Sequence, residues 1–488
     1  MAGEDLEKLL KIMKTKPRGV AIFGPSAKRG FYWIKSLINL NYDGYIVPIH
    51  PRLKTAVGFT CYKRLDEVPM KIKTDYAIIA VPRKVVPEVL WQCIKRHVNV
   101  ATIFTSGYSE TDPVKGKKAE QELLDILEEG ERVHGHRLRV LGPNCIGAYY
   151  PEFGLGFRTD LAKEHGPVGI VSQSGGLAIN IALRGKMLGI KFSNVVSVGN
   201  SIDLGPAELL KLMEIDGSTK YIGCYFESLG KSQLAGRRLY AILQEITKKK
   251  PVLIWRGGRT ARGSEAASSH TGALKTSGKI FNAFIQQTGI IPVHSFEEMM
   301  DTLLAFQMVK GHSGKNIAMI SISGGSGVTA TDDIIEYGLE LPALSKDTQE
   351  KIAKITFTDV GMSVKNPVDL GASYYGFSVI SKSIKAILQD PKIDILFMEI
   401  SAHYIYNATV LAYDDFPRLY FKEVLKAMKN AKRETRKPIF VIMPEIAYER
   451  ETLTDRHLFL DNNIPVFPTV ERATLALSNL ISGTKRLE

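Results

Sequence analysis

Short runs rich in Val and Ile, each followed by a stretch of helical period, recur along the whole chain, and no other feature restricts its fold as much. A buried parallel strand is apolar on both faces, and its return connection is an amphipathic helix. The alternation therefore specifies layered α/β units. In the first third the expected strands are GVAIFG, GYIVPIH, YAIIAV, ATIFTS and RVLG. The helical stretches FYWIKSLINL, VVPEVLWQCIKRH and KKAEQELLDILEEGERVHG separate them. The middle third repeats the scheme from VGIVSQ to PVLIWRGG, and the last third restarts at NIAMISISGGSG after the small polar stretch GHSGKN. Three consecutive parallel-sheet domains are expected, at residues 1–140, 141–311 and 312–488, and a length of 488 residues at roughly 150 per domain agrees.

Composition narrows the function classes. Hydrophobic residues make up 44% and charged residues 24%, as in ordinary soluble proteins. No apolar run approaches the ~20 residues of a membrane helix. The N-terminal stretch MAGEDLEKLLKIMKTKPRG lacks the apolar core of a signal peptide, so a cytoplasmic location without membrane association is expected. Cys61, Cys93, Cys145 and Cys224 have no metal-like spacing, and neither a disulfide framework nor a metal site is expected. The net charge is 64 − 51 = +13. The basic residues are spread out, with no zinc finger, helix-turn-helix or aromatic-basic stripe, so nucleic acid is not expected as a partner. A small phosphorylated ligand suits the charge better.

In open α/β sheets, ligands bind where strands end and helices begin, and helix N-termini favour anions. Three such junctions are rich in small residues. The first, AIFGPSAKRGFYWIKSL, has Gly24 after a strand and Gly30 before a helix. Its spacing is not GxGxxG, and no acidic residue follows the second strand, which argues against a dinucleotide-dependent oxidoreductase. That strand ends instead in IHPRLK, where Arg52 and Lys54 suit a phosphate; the alternative reading of the junction is a tight turn without any ligand. The second junction, GIVSQSGGLAINIA, offers Gln173, Ser174, Gly175 and Gly176 as a phosphate-sized nest. The third, MISISGGSGVTATDDII, repeats the device with Gly324, Gly325, Ser326 and Gly327.

His270 lies in GRTARGSEAASSHTGALKTSG, a run of small residues between a strand and a helix. Taken alone, the run fits either a locally hydrogen-bonded loop histidine or a nucleophile. As a nucleophile, a neutral imidazole attacks phosphorus and becomes phosphohistidine. That chemistry needs an acceptor at the other ring nitrogen, and Glu227, ending the strand YIGCYFES, is an available carboxylate. It also needs donors around the phosphoryl oxygens, which the two nests could supply.

GPNCIG (residues 142–147), GPVGIVSQSGGL, SVGNSID, YFESLG, EAASSHTGAL and KNPVDL (365–370) resemble, in order, successive motifs of the nucleoside-diphosphate-forming acyl-CoA synthetases. That superfamily includes succinyl-CoA synthetase and the archaeal-type ADP-forming acetate–CoA ligases, and the resemblance runs from about Lys16 to Leu480. It implies a Rossmann-like CoA-binding domain followed by two flavodoxin-like ligase domains. The implied CoA contacts are Gly24, Ser26, Ala27, Lys28, Arg29 and Gly30 in the first turn, Arg52 and Lys54 near the nucleotide end, and Val81, Pro82, Thr105, Ser106, Gly107 and Asn144. His270 matches the phosphorylated histidine and Glu227 the glutamate that supports it. Ser172, Gln173, Ser174, Gly175 and Gly176, with Gly324, Gly325, Ser326 and Gly327, match the two helix starts that hold the phosphoryl group. Cys145 then lines the substrate pocket.

Two departures bear on this. The first turn reads GPSAKRG, not the commoner GAS type, and Tyr32 and Trp33 beside it are not family residues. The chain also shows no ATP-grasp motifs, neither the glycine-rich loop nor the paired magnesium carboxylates. The resemblance therefore implies an alpha subunit acting on CoA and a short-chain carboxylic acid. ADP or ATP, with Mg, would bind a separate ATP-grasp beta subunit in an α2β2 heterotetramer. The alternative is a CoA- or acyl-CoA-binding regulatory protein of the same fold without turnover. The acyl group itself is not implied.

Overall fold

Gly19–Phe23 (β1) is buried at all five positions, as a strand covered on both faces requires. The structure, a computed structural model, describes residues 11–228, 233–265, 278–357, 361–408 and 415–487. After β1 come helix α1 (Tyr32–Asn39), strand β2 (Tyr45–Ile49) and a small hairpin of β3 (Thr55–Ala56) and β4 (Phe59–Thr60). Strand β5 (Tyr76–Ile79), helix α2 (Val86–Lys95), strand β6 (Val100–Ile103), helix α3 (Lys115–His134) and strand β7 (Arg139–Leu141) complete the first sheet. Its order is β2-β1-β5-β6-β7, all parallel. The chain leaves β1 for one side and later returns to the other, so a crevice opens between the C-terminal ends of β1 and β5.

The second sheet obeys the same rule. Its elements are β8 (Ala148–Tyr149), β9 (His165–Ser172), α4 (Gly175–Leu188), β10 (Phe192–Ser197), α5 (Pro206–Ile215) and β11 (Tyr221–Phe226). They continue through α6 (Gln233–Ile246), β12 (Val252–Arg256), α7 (Gly278–Thr288) and β13 (Ile291–Val293). The order β13-β12-β11-β9-β10-β8 puts the crevice between β9 and β11. The expected parallel sheet carries one antiparallel edge strand, the two-residue β8 on β10. A strand that short leaves no periodicity to read.

Helix α8 (Phe296–Val309) precedes the third sheet. That sheet comprises β14 (Ile317–Ser321), α9 (Gly324–Glu336), α10 (Lys346–Ile355), β15 (Val368–Asp369), α11 (Phe377–Gln389) and β16 (Ile395–Glu399). It ends with α12 (Ala402–Asn407), α13 (Phe416–Thr435), β17 (Ile439–Ile442), α14 (Glu449–Leu460), β18 (Val466–Phe467) and α15 (Val470–Lys485). The order β15-β14-β16-β17-β18 is parallel and opens its crevice between β14 and β16.

Packing groups the chain into two units that divide between Ser295 and Phe296. The first two sheets share a unit. Buried Arg139 at the foot of β7 pairs with Asp203 at 2.9 Å, and Asn200 Nδ2 reaches Glu120 Oε1 of α3 at 2.7 Å. The polar stretch near residue 311 does connect α8 to β14, but α8 packs in the second unit, where Asp301 takes two hydrogen bonds from Arg472 of α15 at 2.6 and 2.9 Å. Among the described residues no helix is long and apolar enough to cross a membrane.

Candidate functional site

The crevice of the first sheet begins at Gly24. Its φ is +80°, and a Cβ there would stand 2.5 Å from the Ala80 carbonyl oxygen, so only glycine lets the ends of β1 and β5 approach. The next residues form a tight 3-10 turn, Ala27–Arg29, with the Ser26 carbonyl accepting from the Arg29 and Phe31 N–H groups at 3.2 and 2.9 Å. Gly30 ends the turn at φ +61°.

A cavity of about 1000 Å³ opens against this turn. It is lined by Gly24, Ser26 and Arg29, by Val81 and Pro82 after β5, by Thr105 and Ser106 after β6, and by Asn144. The helix start of the second sheet, Gln173 to Gly176, forms another wall. Thus residues expected from five separate stretches converge on one space. Thr105 joins two of them: its hydroxyl donates to the Val81 carbonyl at 2.6 Å, and its carbonyl accepts from the Asn144 N–H at 2.9 Å. Ala27, Lys28, Gly30, Arg52, Lys54, Gly107 and Ser172 do not line it. Lys28 is exposed on the turn, and Arg52 and Lys54 are exposed beyond β2, where the His50 ring nitrogen caps the loop by accepting from the Arg52 and Leu53 N–H groups. Gly107 holds the β6 loop shut, its N–H donating to Glu110 at 2.6 Å and its carbonyl accepting from Arg83.

Arg83 itself lines the cavity and was not expected; the only signal was a basic residue directly after Val81–Pro82. The aromatic residues Phe31, Tyr32, Trp33 and Phe104 also line it, Trp33 and Phe104 meeting edge to face at 5.5 Å. Cys145 is a wall residue. Its thiol donates to the Ser197 carbonyl at 2.9 Å and accepts from the Gly147 N–H at 3.1 Å. Burial pushes the thiol up to about 12, which keeps it protonated and unreactive at neutral pH.

At the β9–α4 junction, buried Ser172 shapes the turn: its hydroxyl donates to the Ser174 carbonyl at 2.7 Å and accepts from the Ser174 N–H at 3.2 Å. Ser174 caps α4, accepting from Leu177 N–H. Gly175 and Gly176 have ordinary backbone angles, and a Cβ on either would make no contact shorter than 3.5 Å. The fold does not need glycine at these two positions. Both line the cavity at a helix N-terminus, where the first backbone N–H groups have no partner within the helix, and that suits an anion.

Gln173 ties this junction to Glu227. Its side-chain oxygen accepts from the Glu227 and Ser228 N–H groups at 2.6 and 3.1 Å, and its own N–H donates to the Tyr225 carbonyl at 3.0 Å. Glu227 Oε1 accepts from the Tyr225 hydroxyl at 3.2 Å. Burial, with the nearby Glu227 charge, raises the Tyr225 pKa and keeps that hydroxyl a donor. His270 lies outside the described residues.

The second unit repeats the arrangement at its own crevice. Ser323 caps α9, accepting from Ser326 N–H at 3.2 Å. Gly325 has open space around its missing Cβ, and Gly324 nearly so. Gly327 differs: a Cβ would lie 3.2 Å from the Ser321 hydroxyl, so it serves close packing of α9 on β14. A residue not expected from sequence, Glu399 at the end of β16, sits beside this helix start. Its Oε2 accepts from the Ser326 hydroxyl at 2.8 Å and the Ile322 N–H at 3.2 Å, and the side chain is buried. The signal was positional: like Glu227, Glu399 stands at the strand end facing a glycine-serine helix start across the crevice.

Comparison with known proteins agrees with this geometry. A CoA binding domain model matches residues 18–151, and a model described as succinyl-CoA ligase like flavodoxin domain matches residues 165–306. The alpha subunit of ADP-forming acetate–CoA ligase I from Pyrococcus furiosus is 34% identical over 486 residues, covering 96% of each chain. The alpha subunit of ligase II from the same organism is 31% identical over 474 residues, covering 96% of this chain and 97% of that one. Among solved structures, the dinucleotide forming acetyl-coenzyme A synthetase 1 of Ca. Korarchaeum cryptofilum, in complex with phosphate and ADP, superposes with a TM-score of 0.81 at 27% identity, covering 99% of this chain and 98% of that one.

Proposed function

The chain belongs to the family of ADP-forming acyl-CoA ligases, and from that premise we propose that it is an alpha subunit that interconverts acyl-CoA, ADP and phosphate with carboxylic acid, CoA and ATP. The observation that carries this reading is the cavity itself. It joins the crevice of the CoA-binding sheet to a helix start whose two glycines put no side chain into it.

The chemistry follows from the placement. CoA enters along the first turn and the loops at Val81–Arg83 and Thr105–Ser106, with Arg29 and Arg83 as its cationic contacts. Phosphate sits at Ser174–Gly176. A phosphate oxygen attacks the thioester carbonyl, the carbon–sulfur bond breaks, and the CoA thiolate leaves and takes a proton. The α4 N–H groups stabilise the charge that develops. An imidazole nitrogen of His270 then attacks phosphorus in the acyl phosphate, and the carboxylate leaves. Glu227, pinned through Gln173, accepts from the other ring nitrogen and holds the tautomer. The phosphoryl group finally passes to ADP.

The relatives are named as alpha subunits, which supports a partner subunit here. We place ADP or ATP and Mg on a partner of the ATP-grasp kind, in an α2β2 assembly in the cytoplasm. We assign Glu399 and the Gly324–Ser326 helix start, within the second unit, to the nucleotide half of the reaction.

Labelling tests the reading. Acyl-CoA with radioactive phosphate should leave an acid-labile, base-stable phosphoryl group on His270, and His270→Ala should abolish it. Absence of label from acyl-CoA and from ATP with the partner would overturn it in favour of a CoA-binding regulator without turnover.

A further inference from the structure

The wall beside the α4 helix start is aliphatic. Ile146 and Ile179 both line the cavity there. The Cβ and Cγ2 of Ile146 lie 3.5 Å from where a Cβ on Gly175 would stand, so this side chain borders the helix start directly. Ile179 follows Gly175 by four residues on α4, one turn along the same face. Both are branched at Cβ and therefore stiff. The charged residues lining the cavity, Arg29 and Arg83, both come from loops of the first sheet; the helix-start wall contributes none.

Resting on the reading that phosphate occupies Ser174–Gly176, we infer that Ile146 and Ile179 are the residues that set acyl specificity, fitting a compact uncharged acyl chain and rejecting a second carboxylate. A phosphate oxygen must come within roughly 3–3.5 Å of the carbonyl carbon to react. With phosphate at the helix start, the substituent on that carbon points at whatever borders the helix start, which is these two side chains. Two stiff branches limit its bulk. A distal carboxylate turned toward this wall would lose its water against aliphatic groups, with no cation among the described residues of the wall to receive it.

The test uses the chain with its partner subunit and compares kcat/KM for acetyl-CoA, phenylacetyl-CoA and succinyl-CoA. The wild type should favour acetyl-CoA over succinyl-CoA by at least about 100-fold, the range that unpaired polar groups command. Ile146→Ala and Ile179→Ala should each raise the phenylacetyl-to-acetyl ratio by about 10-fold or more. Ile146→Val and Ile179→Val remove one methyl and should move the ratio the same way by less, so a misfolded alanine variant still leaves a reading. Ratios unchanged within twofold in the variants, or equal use of succinyl-CoA by the wild type, would overturn the assignment. Labelling of His270 in the wild type separates the two levels: normal labelling with unchanged ratios refutes the isoleucine wall alone, whereas no labelling from either side refutes the functional reading beneath it.

Discussion

The two glycine-serine helix starts are built alike and partnered differently. Each follows a strand that borders the crevice of its sheet, is capped by a serine, and faces a glutamate at the end of the strand across that crevice. At α4 the glutamate is reached through Gln173, which takes the Glu227 and Ser228 N–H groups, and the helix start faces a large cavity. At α9 no glutamine intervenes: Glu399 accepts directly from the Ile322 N–H and the Ser326 hydroxyl. A carboxylate at the helix start competes with any incoming anion for the same donors. Free phosphate is therefore expected to bind the first helix start more readily than the second.

Substitutions can break this contrast. On the role proposed for Glu227, Glu227→Gln removes the charge that supports the imidazole, and labelling of His270 from acyl-CoA should slow by about 100- to 10,000-fold in a quench-flow assay. Glu399→Gln should leave that labelling rate within about threefold of wild type and slow transfer to ADP by about 10- to 100-fold. Equal effects of the two variants on both half-reactions would erase the distinction. Glycines sharpen it further. Gly24→Ala forces a Cβ onto the Ala80 carbonyl at positive φ and should lower stability by about 2–4 kcal/mol in denaturant melts. Gly176→Ala has room, and its stability should stay within about 1 kcal/mol while phosphate affinity falls.

The smallest expected effects are in pH dependence, where the units differ in sign. In the first unit burial opposes ionisation of Asp216, but hydrogen bonds from Thr219 and Ser218 outweigh it and lower its pKa to about 2. This stabilising contribution is present above the unfolded value near 3.8 and is lost as pH falls toward 2. In the second unit burial raises Asp455 to about 6, so its contribution is present below 3.8 and lost as pH rises through 6. Asp455→Asn should flatten the pH 4–7 slope of thermal stability in the second unit; an unchanged slope would contradict that environment.

The longer strands and the glycine-serine helix starts were legible in sequence because each is a local pattern: an apolar run, then small residues, then a helical period. Arg83, Phe104, Ile179 and Glu399 were not, because their importance depends on strand order. Glu399 meets Ser326 only because β16 lies beside β14, 70-odd residues on in the chain, and no periodicity encodes that neighbour. Helix α8 shows the same limit. It is buried on most faces, from Glu298 through Phe306, and amphipathicity cannot say which core it joins. Gln173 was legible as a polar residue at a helix start, but its bridge to Glu227 needed the pairing of β9 with β11.

The central claim is that the acyl half of the reaction belongs to this chain and the nucleotide half needs a partner. A single-turnover experiment on the chain alone, mixing acyl-CoA with phosphate and following free thiol and phosphohistidine together, tests it most directly. One thiol should be released per phosphoryl group on His270, and added ADP should give no ATP until the partner subunit is present. Thiol release without a phosphoryl group on His270, or ATP formed by the chain alone, would contradict it.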